Sequence, residues 1–318
     1  MGYIIGLDVG GTKCAVTLAQ SIKAQRPQIL DKIQFPTPNR DPQGTLEKFL
    51  EIINTVIFQR ELKYSDISGI GVSCGGPLDS KSGVVLSPPN LPGWDEIHIC
   101  RYFEEKTGIK SRLQNDANAC AVAEWKWGAG KGLQSVIFLT FGTGLGAGLI
   151  LDGKLYCGAS DNAGEIGHVR LEKDGPVGYG KAGSCEGFCS GGGIKQLGIK
   201  AMIESGETSP LYKAANGDPE NISAKLIAAL ADEGDETCLE IYRRCGEHLG
   251  RTLAILCDIL DPQAIILGGI YMRADHLLEE ALLRVLKQEA LIPCKVIKAG
   301  LGENVGDYAA LSIADGDY

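Results

Sequence analysis

The chain has 318 residues, 44% of them apolar, with 31 Lys and Arg against 40 Asp and Glu for a net charge of −9. That is enough apolar material for two packed cores of ordinary domain size, while the acidic balance without a long basic run argues against binding nucleic acid or an anionic membrane surface and favours a small-molecule substrate. No apolar run is long enough to span a bilayer, no secretory leader is evident, and the 11 cysteines are scattered with no CxxC, so a cytoplasmic protein with reduced, buried thiols is expected.

Residues 4–7, 14–19 and 28–34 read as three successive antiparallel strands. The first runs into Asp8-Val9-Gly10-Gly11-Thr12-Lys13. Gly10 and Gly11 can adopt positive φ and bring backbone amides to an anion, Thr12 and Lys13 add a hydroxyl donor and a charge, and Asp8 can orient a hydrated metal ion. Taken alone, the segment also fits an ordinary β-hairpin. Residues 46–57 then carry apolar side chains at helical spacing, and 67–73 read as a buried strand, completing a βββαβ unit.

The proline-rich loop 87–94 holds Asn90, whose amide donates and accepts at once, as a sugar hydroxyl requires. A strand at 111–113 leads through Asn115 and Asp116 into a helix at 117–127. Asp116 is expected at that helix N-terminus, where the dipeptide alone reads as an N-cap and, beside a phosphoryl donor, as the base for an attacking hydroxyl. Residues 135–141 and 146–151 form a second hairpin around a glycine-rich turn with Thr143 and Gly144, which reads as a second phosphate turn or as a tight corner. Glu165 and His168 share a turn, with Glu186 shortly beyond; together they suit a polyol, and singly each fits a solvated loop.

One long helix is expected near 223–260, followed by a strand at 264–267. That strand ends in Gly268 and Gly269, which suits close approach of an adenosine or a plain strand-to-helix turn. The plan predicts two similar lobes: 1–115, rejoined by a helix around 306–314 so that 306–318 belongs to it, and 116–305.

With these segments in this order, the whole chain resembles the ROK family of sugar kinases and sugar-responsive repressors, within the actin-like ATPase superfamily. The resemblance implies an α/β, two-lobed actin-like (ribonuclease H-like) fold, each lobe a mixed sheet with flanking helices and the active site in the cleft. It implies ATP with Mg2+, a hexose as phosphoryl acceptor at its 6-hydroxyl, and commonly a homodimer. Residue by residue, it makes Asp116 the general base and assigns Asn90, Asn115, Glu165, His168 and Glu186 to the sugar. Asp8 to Lys13, Thr143, Gly144, Gly268 and Gly269 go to the nucleotide, with the metal near Asp8. A glucokinase is the leading expectation. Kinases of N-acetylmannosamine, fructose or allose, polyphosphate as donor, and a non-catalytic sugar-sensing regulator are the alternatives; with two residues before Tyr3 and an acidic balance, DNA binding is not expected.

One departure stands out. Many members carry a cysteine cluster that binds zinc together with the histidine corresponding to His168, and the three cysteine positions here are Val177, Tyr179 and Ser184. No structural zinc is expected, and Val177 and Tyr179 are expected to fill its space and order the loop 174–184 by packing.

Overall fold

The computed structural model describes residues 2–22 and 25–318; Met1, Lys23 and Ala24 lie outside the described residues. Strands β1 (Gly2–Val9), β2 (Lys13–Ser21) and β3 (Gln28–Pro36) form an antiparallel meander, followed by helix α1 (Pro42–Gln59) and strand β4 (Ile67–Cys74). A short β5 (Leu78–Asp79) and β6 (Val84–Val85), helix α2 (Ile99–Thr107), strand β7 (Ser111–Asn115) and helix α3 (Asp116–Trp127) come next. The second sheet begins with β8 (Val136–Phe141), β9 (Leu145–Leu151) and β10 (Lys154–Leu155). A two-stranded hairpin, β11 (Val177–Gly178) and β12 (Lys181–Ala182), precedes helices α4 (Cys185–Phe188), α5 (Gly191–Ser205), α6 (Pro210–Ala214), α7 (Ala224–Asp232) and α8 (Glu236–Leu260). Strand β13 (Ala264–Leu267), helix α9 (Tyr271–Glu289), strand β14 (Lys295–Lys298) and helix α10 (Val305–Ile313) complete the chain.

The two five-stranded sheets share one plan, β3-β2-β1-β4-β7 and β10-β9-β8-β13-β14, each a three-strand meander extended by two strands. In the first, β1, β4 and β7 are parallel and in register, so that Asp8 pairs with Ser73 and Ser73 with Gln114, while Val9, Cys74 and Asn115 align at the strands' carboxyl ends. Alternation along β1 sends Ile5, Leu7 and Val9 into the core under α1 and α2, with Phe49, Ile53 and Phe103. Ile4 points to the opposite face, where it packs with Leu311 and Ala314 at the end of the chain. That face is tight: an added Cβ at Gly71 would lie 1.9 Å from the Ala310 carbonyl oxygen.

The chain divides into two compact units: Met1–Phe138 with Gly148–Ala163 and Ala299–Tyr318, and Leu139–Ala147 with Gly164–Lys298. Compactness thus keeps α3 with the first unit, whereas the sequence reading sets the boundary after Asn115. Part of the reason is Glu124 of α3, a fully buried carboxylate that accepts the amides of Ala129, Gly300 and Leu301 at 2.8, 2.9 and 2.8 Å.

The expected long helix at 223–260 is two helices. Gly234, at φ +90°, ends α7, and the Asp235 side chain accepts the Cys238 amide to start α8. All 11 cysteines are free thiols, and only Cys157 and Cys294 are partly exposed. Among the described residues no helix is long and apolar enough to cross a membrane.

Candidate active site

In the first unit the expected site residues gather at the carboxyl ends of β1, β4 and β7, where ligands approach open parallel sheets. Close backbone approach dictates the glycines. A Cβ at Gly10 would lie 2.5 Å from the Lys13 carbonyl oxygen, and one at Gly11 would lie 2.5 Å from that of Asn90. Gly75 and Gly76 follow β4, and a Cβ there would meet the Asn90 and Asn115 side-chain amides at 3.5 Å. The opening turn, the Asn90 loop and the start of α3 are therefore neighbours.

The helix cap is Asn115 and not Asp116. The Asn115 side chain accepts the amides of Ala117 and Asn118, whereas Asp116 occupies the first helical position and accepts the Ala117 amide, at 2.8 Å. Capping needs a residue with extended backbone just before the helix, and Asn115 has it, at ψ 145°. Asp116 thus remains available for chemistry. Asp116 is exposed at its surface, and partial desolvation by the protein packed around it raises its pKa, with the Ala117 amide opposing. Asp8 is pushed up to about 6, first by burial, then by the charges of Asp116 and Asp307, against Lys32 and Lys13. The Asp116 charge thus disfavours that of Asp8, and a carboxylate such as Asp8 suits a hydrated divalent cation held mainly by phosphate.

In the second unit the turn 142–144 joins β8 to β9, with Thr143 exposed at its tip. Gly269, at φ +63°, follows β13 and packs on the same turn: a Cβ there would lie 2.0 Å from the Phe141 carbonyl oxygen, and the Ile270 amide donates to that oxygen at 2.6 Å. The start of α5, which the sequence reading left without a role, braces the turn. Gly191 donates to the Gly142 carbonyl at 2.8 Å and Gly192 to that of Thr143 at 3.3 Å, while Gly193 and Ile194 are satisfied by the Ser190 side chain and carbonyl. With the amides of Gly191, Gly192 and Gly193 spent internally, this helix end acts as a support for the turn. The Ser-Gly-Gly-Gly run at 190–193 was its visible signal.

Glu186 sits in α4, capped by Ser184, and its Oε2 accepts the Leu145 amide at 3.1 Å. Glu165 precedes the single helical turn at Ile166–His168, and the His168 ring meets Tyr179 edge-on at 4.7 Å between centroids.

A family model described as ROK family matches residues 4–316. The chain belongs to the ROK family. It is 30% identical over 316 residues to a glucokinase of Thermotoga maritima, covering 98% of this chain and 96% of that one. It is 27% identical to an N-acetylmannosamine kinase of Shigella flexneri, covering 99% of each. The ROK family glucokinase of Streptomyces griseus, solved in complex with glucose and AMPPNP, matches with a TM-score of 0.79 at 28% identity, covering 99% of this chain and 100% of that one. The fold is that of the actin-like ATPases.

In this ROK chain the three positions expected to lack cysteine do not supply a zinc donor set. Ser184 is buried and committed to the Gly187 amide, Cys185 is buried with its sulfur accepting the Thr252 hydroxyl at 3.3 Å, and Val177 and Tyr179 carry no thiolate. Among the described residues no group of three or more His, Cys, Asp or Glu is placed to hold a metal ion. The expectation that Val177 and Tyr179 fill the metal's space by packing is corrected in part: they are 47% and 59% exposed, although the Tyr179 ring does pack edge-on against His168. Hydrogen bonds order much of the loop.

Proposed function

We propose that this chain is an ATP-dependent hexose kinase of glucokinase type, transferring the γ-phosphoryl group to the 6-hydroxyl of glucose or a related hexose with Asp116 as general base. The observation that carries this reading is the division of labour at the start of α3, where Asn115 caps the helix and leaves Asp116 to accept a proton. Desolvation raises its pKa, which brings the carboxylate nearer to working pH, as suits a general base. Asn90 and Asn115, beside the Gly75–Gly76 turn, offer amides to sugar hydroxyls, and Glu165, His168 and Glu186 are assigned to hydroxyls as well.

Gly10 to Lys13 and the turns at 142–144 and 268–269 are assigned to the nucleotide. Asp8 orients the hydrated Mg2+ that would accompany it, and that cation supplies neutralisation of phosphate charge when bound. The similarity to an N-acetylmannosamine kinase makes the acceptor the open part of the assignment. Sugar 6-phosphate formation measured with a panel of glucose, mannose, fructose, allose and N-acetylmannosamine, with ATP or polyphosphate as donor, tests it. Sugar 6-phosphate formation, reduced about 10²- to 10⁴-fold in kcat by Asp116→Asn with little change in hexose KM, is the expected result. Formation unaltered by that substitution removes Asp116 from its role.

A further inference from the structure

The loop 174–184 enters α4 directly and thereby sets the position of Glu186, so whatever orders it bears on the proposed acceptor site. It carries a two-residue hairpin whose central residues, Tyr179 and Gly180, have φ of +45° and +75°. Glycine takes that conformation without cost, whereas for tyrosine it is strained. The compensation lies in what the strained residue reaches: the Tyr179 ring packs edge-on against His168, and Lys181, on the far side of the turn, donates to the His168 carbonyl at 2.7 Å. The hairpin backbone also presses on Glu186, since a Cβ at Gly178 would lie 2.7 Å from the Glu186 Cβ and 2.5 Å from the Gly187 nitrogen.

The hairpin itself is fastened to the rigid helix α5 through Val177. The Gln196 carboxamide, on α5, accepts the Val177 amide and donates to the Val177 carbonyl, both at 2.8 Å. A primary amide can close such a pair because it holds a donor and an acceptor side by side, which no carboxylate or apolar side chain of that size can do. The same α5 braces the turn 142–144 through Gly191 and Gly192. We propose that Gln196 is a positioning residue: its amide latch on Val177 takes the place of a metal in fixing the hairpin 177–182, and through that hairpin it sets His168 and Glu186 for the acceptor. The positioning role rests on the hexose kinase reading; the latch does not.

Gln196→Leu keeps the size and helix preference of the side chain and removes both bonds. In the full-length protein, hydrogen exchange at 177–183 is expected to accelerate at least about tenfold, with α8 and α9 unchanged. Hexose KM is expected to rise about five- to tenfold while kcat and ATP KM stay within about twofold. Gln196→Glu, which keeps the acceptor and loses the donor, should fall between Leu and parent in both readouts and serves alone if the leucine variant does not fold. Pretreating the parent with EDTA or phenanthroline, then removing the chelator and restoring Mg2+, should change neither readout. Exchange in the variants equal to the parent, or protection lost on chelation together with stoichiometric zinc, overturns the latch. Faster exchange with unchanged hexose KM overturns the positioning role. If the parent phosphorylates no hexose in the panel, the kinase reading fails and the exchange measurement still decides the latch.

Discussion

Glu186 Oε2 accepts a hydrogen bond from the Leu145 amide at 3.1 Å, which ties a carboxylate assigned to the acceptor sugar to the backbone of a turn assigned to the nucleotide. Gly144 is required by the same contact, because a Cβ there would lie 2.6 Å from that oxygen. One carboxylate oxygen is thus committed to the turn, and the other is left for a hydroxyl. Glutamine retains a carbonyl oxygen for Leu145 and loses the charge, whereas alanine loses both. Glu186→Gln is therefore expected to raise hexose KM about tenfold with ATP KM within about twofold, and Glu186→Ala to raise both, since a hydrogen bond to a charged group contributes about 1.5–3 kcal/mol. Steady-state kinetics with each substrate varied in turn distinguishes the two patterns. Equal effects of both variants on ATP KM would separate Glu186 from the turn.

Asp8 shows the cost of assembling like charges. Its native pKa of about 6 lies above the ordinary value of 3.8, so between those values the folded chain binds more protons than the unfolded one and loses stability as pH rises. The cost is absent below about pH 4, where both states are protonated, and complete above about pH 6; two pKa units correspond to about 3 kcal/mol. Asp8→Asn removes the charge. It is expected to stabilise the protein by about 1–3 kcal/mol at pH 8 and not at pH 4, while abolishing most phosphoryl transfer. Denaturant unfolding of parent and variant at pH 4, 6 and 8, with the phosphorylation assay alongside, checks both halves. A variant no more stable than the parent at pH 8 would mean that Asp8 carries no such penalty.

Much of this was legible in the sequence because it rests on local pattern. The meander, α1, β13 and the helix after Asn115 follow from apolar periodicity and turn glycines, and their observed bounds differ from the expected ones by a few residues. What periodicity hid were contacts across long sequence separations. An apolar pattern continues through 223–260, and the positive φ of Gly234 with the Asp235 cap divides it. Glu124 reads as a solvated helix residue until the amides of Gly300 and Leu301 are seen to converge on it. Gln196 reads as surface for the same reason: its partner lies 19 residues earlier in the chain. Asn115 and Asp116 were both visible as candidates, but which of them caps the helix depends on backbone dihedrals that the dipeptide does not reveal.

Gly10 and Gly11 of the opening turn do not take the positive φ that the sequence allows; close approach of neighbouring backbone is what requires them. A Cβ at Gly11 would lie 2.5 Å from the Asn90 carbonyl oxygen and 3.0 Å from the Asn90 Cβ, and the nearer of these is backbone that cannot rotate away. Gly11→Ala must therefore displace the loop that carries Asn90, at a cost of about 1–3 kcal/mol, as for other overpacked sites. Hexose KM should rise with it, because the displaced residue is the one assigned to the sugar. Gly306 is the matched control: it lies in α10, and a Cβ there has nothing within 4 Å. Gly306→Ala should leave both KM values unchanged and stabilise the protein by up to about 1 kcal/mol through reduced freedom of the unfolded chain. Thermal melts with hexose and ATP titrations on the two variants make the comparison. A Gly11→Ala protein with parental stability and parental hexose KM would show that the turn and the Asn90 loop are not in the contact described.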